Sequence, residues 1–339
     1  MLSLLPWKQK LAIDMGTATC HVSVQGAGLL VREPTVIAFD TERGRPIAYG
    51  AEAKQMLDRE VSDVQVVRPL EGGVVADFDA AVTFLRHAIH EAIGHRPLLA
   101  PTVVTAEPTR ATQVERRALT NALKAAGAGE VVTVPRALAA SIGAGVPMDQ
   151  PECRLIVDMG AGSTDIGVIS MGMIAAGETL HFGGDDLDEA IRRFVQRRYR
   201  ITIGGARAED IKIMAGALSS EMIAEQVRLS DLEEGNGGDD SQKLEGIAEL
   251  LRASLKPIAS EALWILDALP ERQLDEITQV ESILTGGCAQ LRGITDLLSD
   301  ELALRFTAAP DPMSCTILGL EAILNDLEAL SLDGRRFTR

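Results

Sequence analysis

Two stretches of this chain repeat one another. LAIDMGTATCHVSVQGAGLL begins at Leu11 and LIVDMGAGSTDIGVISMGMI begins at Leu155, and laid together without gaps they agree at six of twenty positions. Leu11, Asp14, Met15, Gly16, Val24 and Gly28 match Leu155, Asp158, Met159, Gly160, Val168 and Gly172. Each copy reads as an apolar strand, an Asp-Met-Gly turn rich in small and hydroxyl residues, and a second alternating strand that stops near a glycine. Copies spaced by 144 positions predict two like-folded domains, each opening with a β-hairpin that carries the same chemistry.

The rest of the chain fits α/β units around those hairpins. With 339 residues, 46% of them hydrophobic, there is enough apolar surface for two cores. Aromatic residues make up only 3%, so those cores are built from Ala, Leu, Ile and Val, a composition suited to layered α/β packing. Pro101 to Glu107 reads as a buried strand, and Val114, Ala118, Leu119, Ala122 and Leu123 then recur at the spacing of one helical face. Val131 to Val134 is a further strand, leading into the alanine-rich helix RALAASIGAG. In the second half Leu187, Ala190, Ile191, Phe194 and Val195 form a helical stripe with Asp185 and Asp186 placed to cap it. Ser282 to Leu284 is a strand running into TGGCAQLRG and another helix. The expected fold is α/β: two related domains, each a β-sheet flanked by helices.

Several classes are excluded by composition. The formal net charge of −16 disfavours broad nucleic-acid binding, which needs a basic surface to displace counterions. Cys20, Cys153, Cys288 and Cys315 stand far apart with no CxxC pair, so they read as reduced thiols of a cytoplasmic protein and not as a zinc or disulfide framework. No apolar run approaches the roughly 20 residues that span a bilayer, and MLSLLPWKQK is too short and wrongly ordered for a secretory signal. Asp231 to Asp240, acidic and glycine-rich, reads as a surface loop.

The chemistry lies in the turns. Asp14 and Asp158 each stand at a strand end, before glycines that let backbone N–H groups approach an anion, with hydroxyls of Thr17, Thr19, Ser163 and Thr164 as further donors. Two such loops facing each other can grip a polyphosphate while the aspartates position a hydrated Mg²⁺ through its waters. Thr285-Gly286-Gly287 is open to two interpretations: close approach of backbone to a nucleotide, or a tight strand-to-helix turn.

The order DMGT, DMGAGSTD, GGDDLDEA, LTGGCAQLRG resembles the superfamily of actins, sugar kinases and heat-shock ATPases. LAIDMGTAT, EPTVIAF, VRPLEGGVVADFDA, TQVERRAL, ASIGAG, GGDDLDEAI and ILTGGCAQLRG resemble the MreB-type actins in particular, over most of Leu11 to Leu327 and least clearly from about Ala217 to Val280. The resemblance implies an actin-like fold with ATP and Mg²⁺ in a cleft between two domains. Domain I would span 11–145 with a small subdomain within about 33–75, and domain II 146–339 with one within about 205–275, after an N-terminal segment 1–10. It implies a first phosphate loop of Asp14, Gly16, Thr17, Ala18 and Thr19, and a second of Asp158, Gly160, Ala161, Gly162, Ser163 and Thr164. Asp14 and Asp158 would hold the metal through water, Gly183, Gly184, Gly286, Gly287 and Cys288 would line the nucleotide site, and Glu209 and Lys212 would meet ribose and adenine. Without the resemblance, Glu209 and Lys212, three apart on a helix, would be an ordinary surface ion pair.

One departure bears on catalysis. Where MreB-type actins carry Glu-Glu-Pro, with the second glutamate positioning the attacking water, alignment on IGAG places Pro135-Arg136-Ala137. A guanidinium stays protonated and cannot serve as a base, though it can neutralise phosphate charge. Hydrolysis is therefore expected to be slow or unusually supported, by Asp165 or Thr164, with Asp158 as the further catalytic candidate. A milder departure, Thr19-Cys20 for Asn-Thr, exchanges one polar group for a thiol.

The resemblance further implies self-association into filaments at the inner face of the cell membrane, serving cell shape, with membrane-protein partners. Leu2, Leu4, Leu5 and Trp7 beside Lys8 and Lys10, and Leu98-Leu99 in HRPLLAP, are candidate membrane contacts, or else pack on their own domain. The competing functions are a small-molecule kinase of the same fold, for which no acceptor-side base is identifiable, and a non-filamentous ATP-binding scaffold. A chaperone-type ATPase would need a peptide-binding module after the second domain.

Overall fold

The computed structural model describes residues 8–58, 63–94, 99–216 and 246–332, with side chains described for all of these but 58 and 327–332. Strands β1 (Lys10–Met15), β2 (Thr19–Val24) and β3 (Gly28–Pro34) form an antiparallel meander. A small sheet follows, β4 (Ile37–Asp40) between β5 (Pro46–Tyr49) and β6 (Val64–Val67), with α1 (Gly50–Asp58) packed on it around Val36, Ala38, Ala48 and Ala53. After the short hairpin β7 (Leu70–Glu71) and β8 (Val74–Val75) come α2 (Phe78–Ile93), β9 (Thr102–Glu107), α3 (Gln113–Ala126), β10 (Glu130–Pro135) and α4 (Arg136–Gly143). β9 pairs parallel with β1, and β10 with β9, which gives the order β10-β9-β1-β2-β3.

The second half repeats that plan. β11 (Arg154–Met159), β12 (Thr164–Ser170) and β13 (Met173–Leu180) are the meander, followed by α5 (Gly184–Tyr199), α6 (Gly205–Ala215), α7 (Ile247–Asp267) and α8 (Glu271–Gln279). β14 (Ser282–Thr285), α9 (Ile294–Leu302), β15 (Phe306–Ala308) and α10 (Cys315–Leu332) complete the chain. The sheet order is β13-β12-β11-β14-β15, the counterpart of the first. Even the register is shared: Asp14 stands across from His21 and Asp158 across from Asp165.

Local chemistry explains the element boundaries. Asp77 accepts from Ala80 N at 2.9 Å to start α2, and Thr112 and Glu115 form a reciprocal capping box on α3. On α3 the buried face is Leu119, Ala122, Leu123 and Ala126; Val114, assigned to that face by periodicity, lies in the first turn and is 77% exposed. Of the two candidate caps on α5, Asp186 accepts from Gly183 N at 2.8 Å, whereas Asp185 reaches across to Arg68.

Strand alternation creates three cores. Leu11, Ile13 and Met15 face α2 and α3, and Leu155, Val157 and Met159 face the helices of the second half. The opposite faces, Ala12 and Ile156, meet in a third core with Leu138 and Ala140 of α4 and Ile317 and Leu320 of α10. Although late in the chain, α10 packs against α4, β1, β2 and β9. It lies so near α4 that a methyl group on Gly143 would overlap the Cys315 carbonyl, and one on Gly319 the Ala139 carbonyl. Asp14 and Asp158 fall on the same inward alternation as Ala12 and Ile156, one step beyond that shared core.

Candidate functional site

The repeated turn has the same backbone bond in both copies: Gly16 N donates to Thr19 O at 3.0 Å, and Gly160 N donates to Ser163 O at 2.9 Å. The two loops touch. A Cβ on Gly162 would stand 2.5 Å from Thr17 Oγ1, and that hydroxyl accepts from Gly73 N at 3.1 Å. Asp14, Thr17, Gly162 and Ser163 are buried in this contact, Gly16, Thr19, Gly160 and Ala161 are half-buried, and Ala18 is exposed.

Arg136 enters this ring of acids from the first position of α4. Thr109 Oγ1 accepts from Ala137 N at 3.1 Å, capping the helix, while Thr109 N donates to Asp165 Oδ1 at 2.6 Å. One residue thereby fixes both the start of α4 and the orientation of Asp165. Arg136 Nη2 lies 2.9 Å from Asp14 Oδ1, a charge contact off the hydrogen-bonding axis, and its Nε lies 3.9 Å from Asp165 Oδ2. Burial opposes the charge of Arg136, but Asp14, Asp158 and Asp165 outweigh it and raise its pKa further.

The carboxylates differ sharply. Burial would raise Asp14, yet Arg136 and His21 together hold it below the ordinary carboxylate value. Asp158, whose Oδ1 accepts from Thr285 Oγ1 at 2.8 Å, is pushed up to about 6 by burial and by Asp165 and Asp14, against the pull of Arg136 and Thr285. Burial also raises Asp165, opposed by Arg136 and by bonds from Thr109 and Thr179, the Thr179 hydroxyl donating to Oδ1 at 2.7 Å. Among the described residues no three His, Cys, Asp or Glu side chains converge to ligate one ion.

Two catalytic candidates prove to be committed elsewhere. Thr164 is fully buried and its hydroxyl donates to Phe182 O at 2.9 Å, which leaves only its acceptor lone pairs for a water. Asp165 has one oxygen filled by two donors and the other turned toward Arg136. Thr109 and Thr179 were not singled out from sequence. The signal for Thr109 was its place just past the C-terminal end of a central parallel strand, where α/β sites form.

Gly183, Gly184, Lys212 and Cys288 gather behind the second loop. Gly184 N donates to Gly160 O at 3.0 Å, and Cys288 Sγ donates to the same carbonyl at 3.4 Å. Burial pushes the Cys288 thiol up to about 12. Lys212 and Glu209 are not a surface pair: Lys212 Nζ is buried, donating to Gly184 O at 3.0 Å and Asp188 Oδ2 at 2.8 Å. Glu209 instead meets Lys54 Nζ of the small first-half sheet layer at 3.3 Å. At the third glycine cluster Gly286, at φ +83°, is packed so that a Cβ would overlap Met159 O, a turn requirement, while a Cβ on Gly287 would meet nothing within 4 Å.

Contacts from both halves cross the cleft mouth. Besides Lys54–Glu209, Arg68 Nη1 is 3.0 Å from Asp185 Oδ2, and His181 Nδ1 donates to Gly72 O at 2.7 Å. Leu2, Leu4, Leu5, Trp7 and Leu98 lie outside the described residues, as does the acidic loop at Asp231 to Asp240; Leu99 is 50% exposed. No helix among the described residues is long and apolar enough to cross a membrane.

The family model of the MreB/Mbl protein matches residues 8–332. The cell shape-determining protein Mbl of Bacillus subtilis (strain 168) is 33% identical over 322 residues, covering 94% of this chain and 97% of its own length. The cell shape-determining protein MreB of Escherichia coli (strain K12) is 36% identical over 318 residues, 91% of each chain. Among solved structures, Spiroplasma citri MreB5 bound to AMPPNP superposes with a TM-score of 0.85 at 27% identity, covering 97% of this chain and 99% of that one. A MamK double helical filament superposes at 0.77 with 18% identity over 94% and 99%, a likeness of fold.

Proposed function

The chain belongs to the MreB/Mbl family of actin-like proteins, and from that premise we propose that it binds ATP between its two halves, polymerises on the inner membrane surface and hydrolyses the nucleotide slowly. The observation that carries nucleotide binding is the pair of Asp-headed loops, identical in register and turn, touching through Thr17 and Gly162. Relatives solved with AMPPNP and with ADP support the ligand class. In this reading 11–145 and 146–339 are the two domains, with α10 returning to the first.

Slow hydrolysis follows from Arg136. It stands where the family carries a water-positioning glutamate, the Thr164 hydroxyl donates to Phe182 O, and Asp165 is held by Thr109 and Thr179. General-base assistance contributes roughly 10²–10⁴-fold, so its loss lowers turnover without touching binding. Polymerisation and the role in cell shape rest on family membership; membrane attachment rests on the apolar N-terminus and on Leu98-Leu99.

Calorimetric titration with ATP, phosphate release, and electron microscopy with and without ATP test these claims together. Saturable binding, ATP-dependent filaments and slow release are expected. Absence of binding removes the nucleotide assignment, fast release removes the slow-hydrolysis assignment, and filaments indifferent to ATP uncouple assembly from the cleft. Liposome pelleting of the full chain against one lacking Met1 to Lys8 tests attachment, and equal pelleting removes the N-terminal claim.

A further inference from the structure

The acids of the cleft have been matched to a cation that the chain itself supplies. Asp165 Oδ1 accepts from Thr109 and Thr179, and Asp158 Oδ1 accepts from Thr285. Asp14 Oδ1 and Asp165 Oδ2 are both buried and make no hydrogen bond, and these are the two oxygens that Arg136 faces, at 2.9 and 3.9 Å. The guanidinium is carried by the first residue of α4, whose N-terminus adds positive potential, and its side chain is only 14% exposed. A hydrated Mg²⁺ held by Asp14 would place its waters on the carboxylate that the guanidinium covers and would set a double charge beside a permanent single one. The residues present fit one cation in this position, and Arg136 is already there.

We infer that Arg136 is the resident cation of the cleft, standing between the hairpin carboxylates and the terminal phosphates of a bound nucleotide in place of a hydrated Mg²⁺, so that ATP binding needs no divalent ion. A planar guanidinium presents five donors and can address a carboxylate with one edge and a phosphate with another, which a point-charge ammonium could not do with the same geometry. This rests on the nucleotide assignment above and deepens it: the ligand is the free nucleoside triphosphate anion as readily as its magnesium complex.

The test is the affinity of the full-length wild-type chain for ATP in excess Mg²⁺ and in EDTA. Dissociation constants within about threefold of each other are expected. A loss of tenfold or more in EDTA overturns the inference while leaving ATP binding intact, and no binding in either medium overturns both. By thermodynamic reciprocity, Mn²⁺ followed by its free-ion electron paramagnetic resonance signal should bind the protein–ATP complex no tighter than it binds ATP alone; markedly tighter binding overturns the inference. Arg136→Gln removes the charge and is expected to bind ATP at least tenfold more weakly in EDTA than in Mg²⁺. Equal affinities for that variant would show that the guanidinium is not the substitute, and should it fail to fold, the two wild-type measurements decide alone.

Discussion

The two hairpins share a sheet position, a register and a turn bond, yet the residue facing each aspartate differs. Across from Asp14 stands His21, both of whose ring nitrogens are buried without a hydrogen bond; across from Asp158 stands Asp165, held by Thr109 and Thr179. Arg136 contacts the first aspartate at 2.9 Å and acts on the second only through its charge. The outcome is one carboxylate held below its ordinary value and one pushed up to about 6. Backbone geometry is shared because Gly16 to Thr19 and Gly160 to Ser163 need only main-chain atoms, while electrostatics differ through single side chains.

The largest way to break this asymmetry is Arg136→Glu, which removes the neutralising charge and adds another buried acid. The unliganded chain should lose on the order of 5 kcal/mol, about 7 °C in melting temperature by calorimetry. A loss under about 2 °C would mean that Arg136 does not hold the acids together. Next come paired neutralisations. Asp14→Asn strips Arg136 of its nearest anion and should cost about 3 kcal/mol, whereas Asp158→Asn, at a carboxylate that burial already disfavours, should cost about 1 kcal/mol or less in chemical denaturation. The reverse order would mean that the charge pairing has been assigned to the wrong hairpin.

Smaller still, Thr179→Val deletes one of two donors to Asp165 Oδ1 and should cost about 1 kcal/mol, with no equivalent loss available at His21. The smallest effect is a pH response. Because Asp158 is raised from 3.8 to about 6 in the folded state, its contribution to stability is full below 3.8 and is lost as pH rises through about 6. Melting temperature should therefore rise as pH falls from about 7 to 5, by a degree or two. Asp158→Asn should remove only part of that rise, since Asp188, pushed up to about 6 by burial against the pull of Lys212, titrates with the same sign. An unchanged slope in Asp158→Asn would show that Asp158 is already ionised throughout.

The duplicated hairpin and the alternation of strands with helices were legible in the sequence, because strand periodicity and Asp-Met-Gly turns are local properties that the backbone must obey wherever it folds. The placement of Arg136 at the helix start was legible too, from its distance to IGAG. Tertiary structure alone decided what each polar group met. Lys212 turned inward to Asp188 and Gly184, Glu209 crossed to Lys54, Thr164 donated a hydrogen bond to Phe182 O, and Thr109, from the turn after β9, bound both Asp165 and α4. These partners lie tens to more than a hundred residues apart, and a charge or hydroxyl buried by packing takes whichever counterpart the fold delivers, because leaving it unpaired costs more than any local preference.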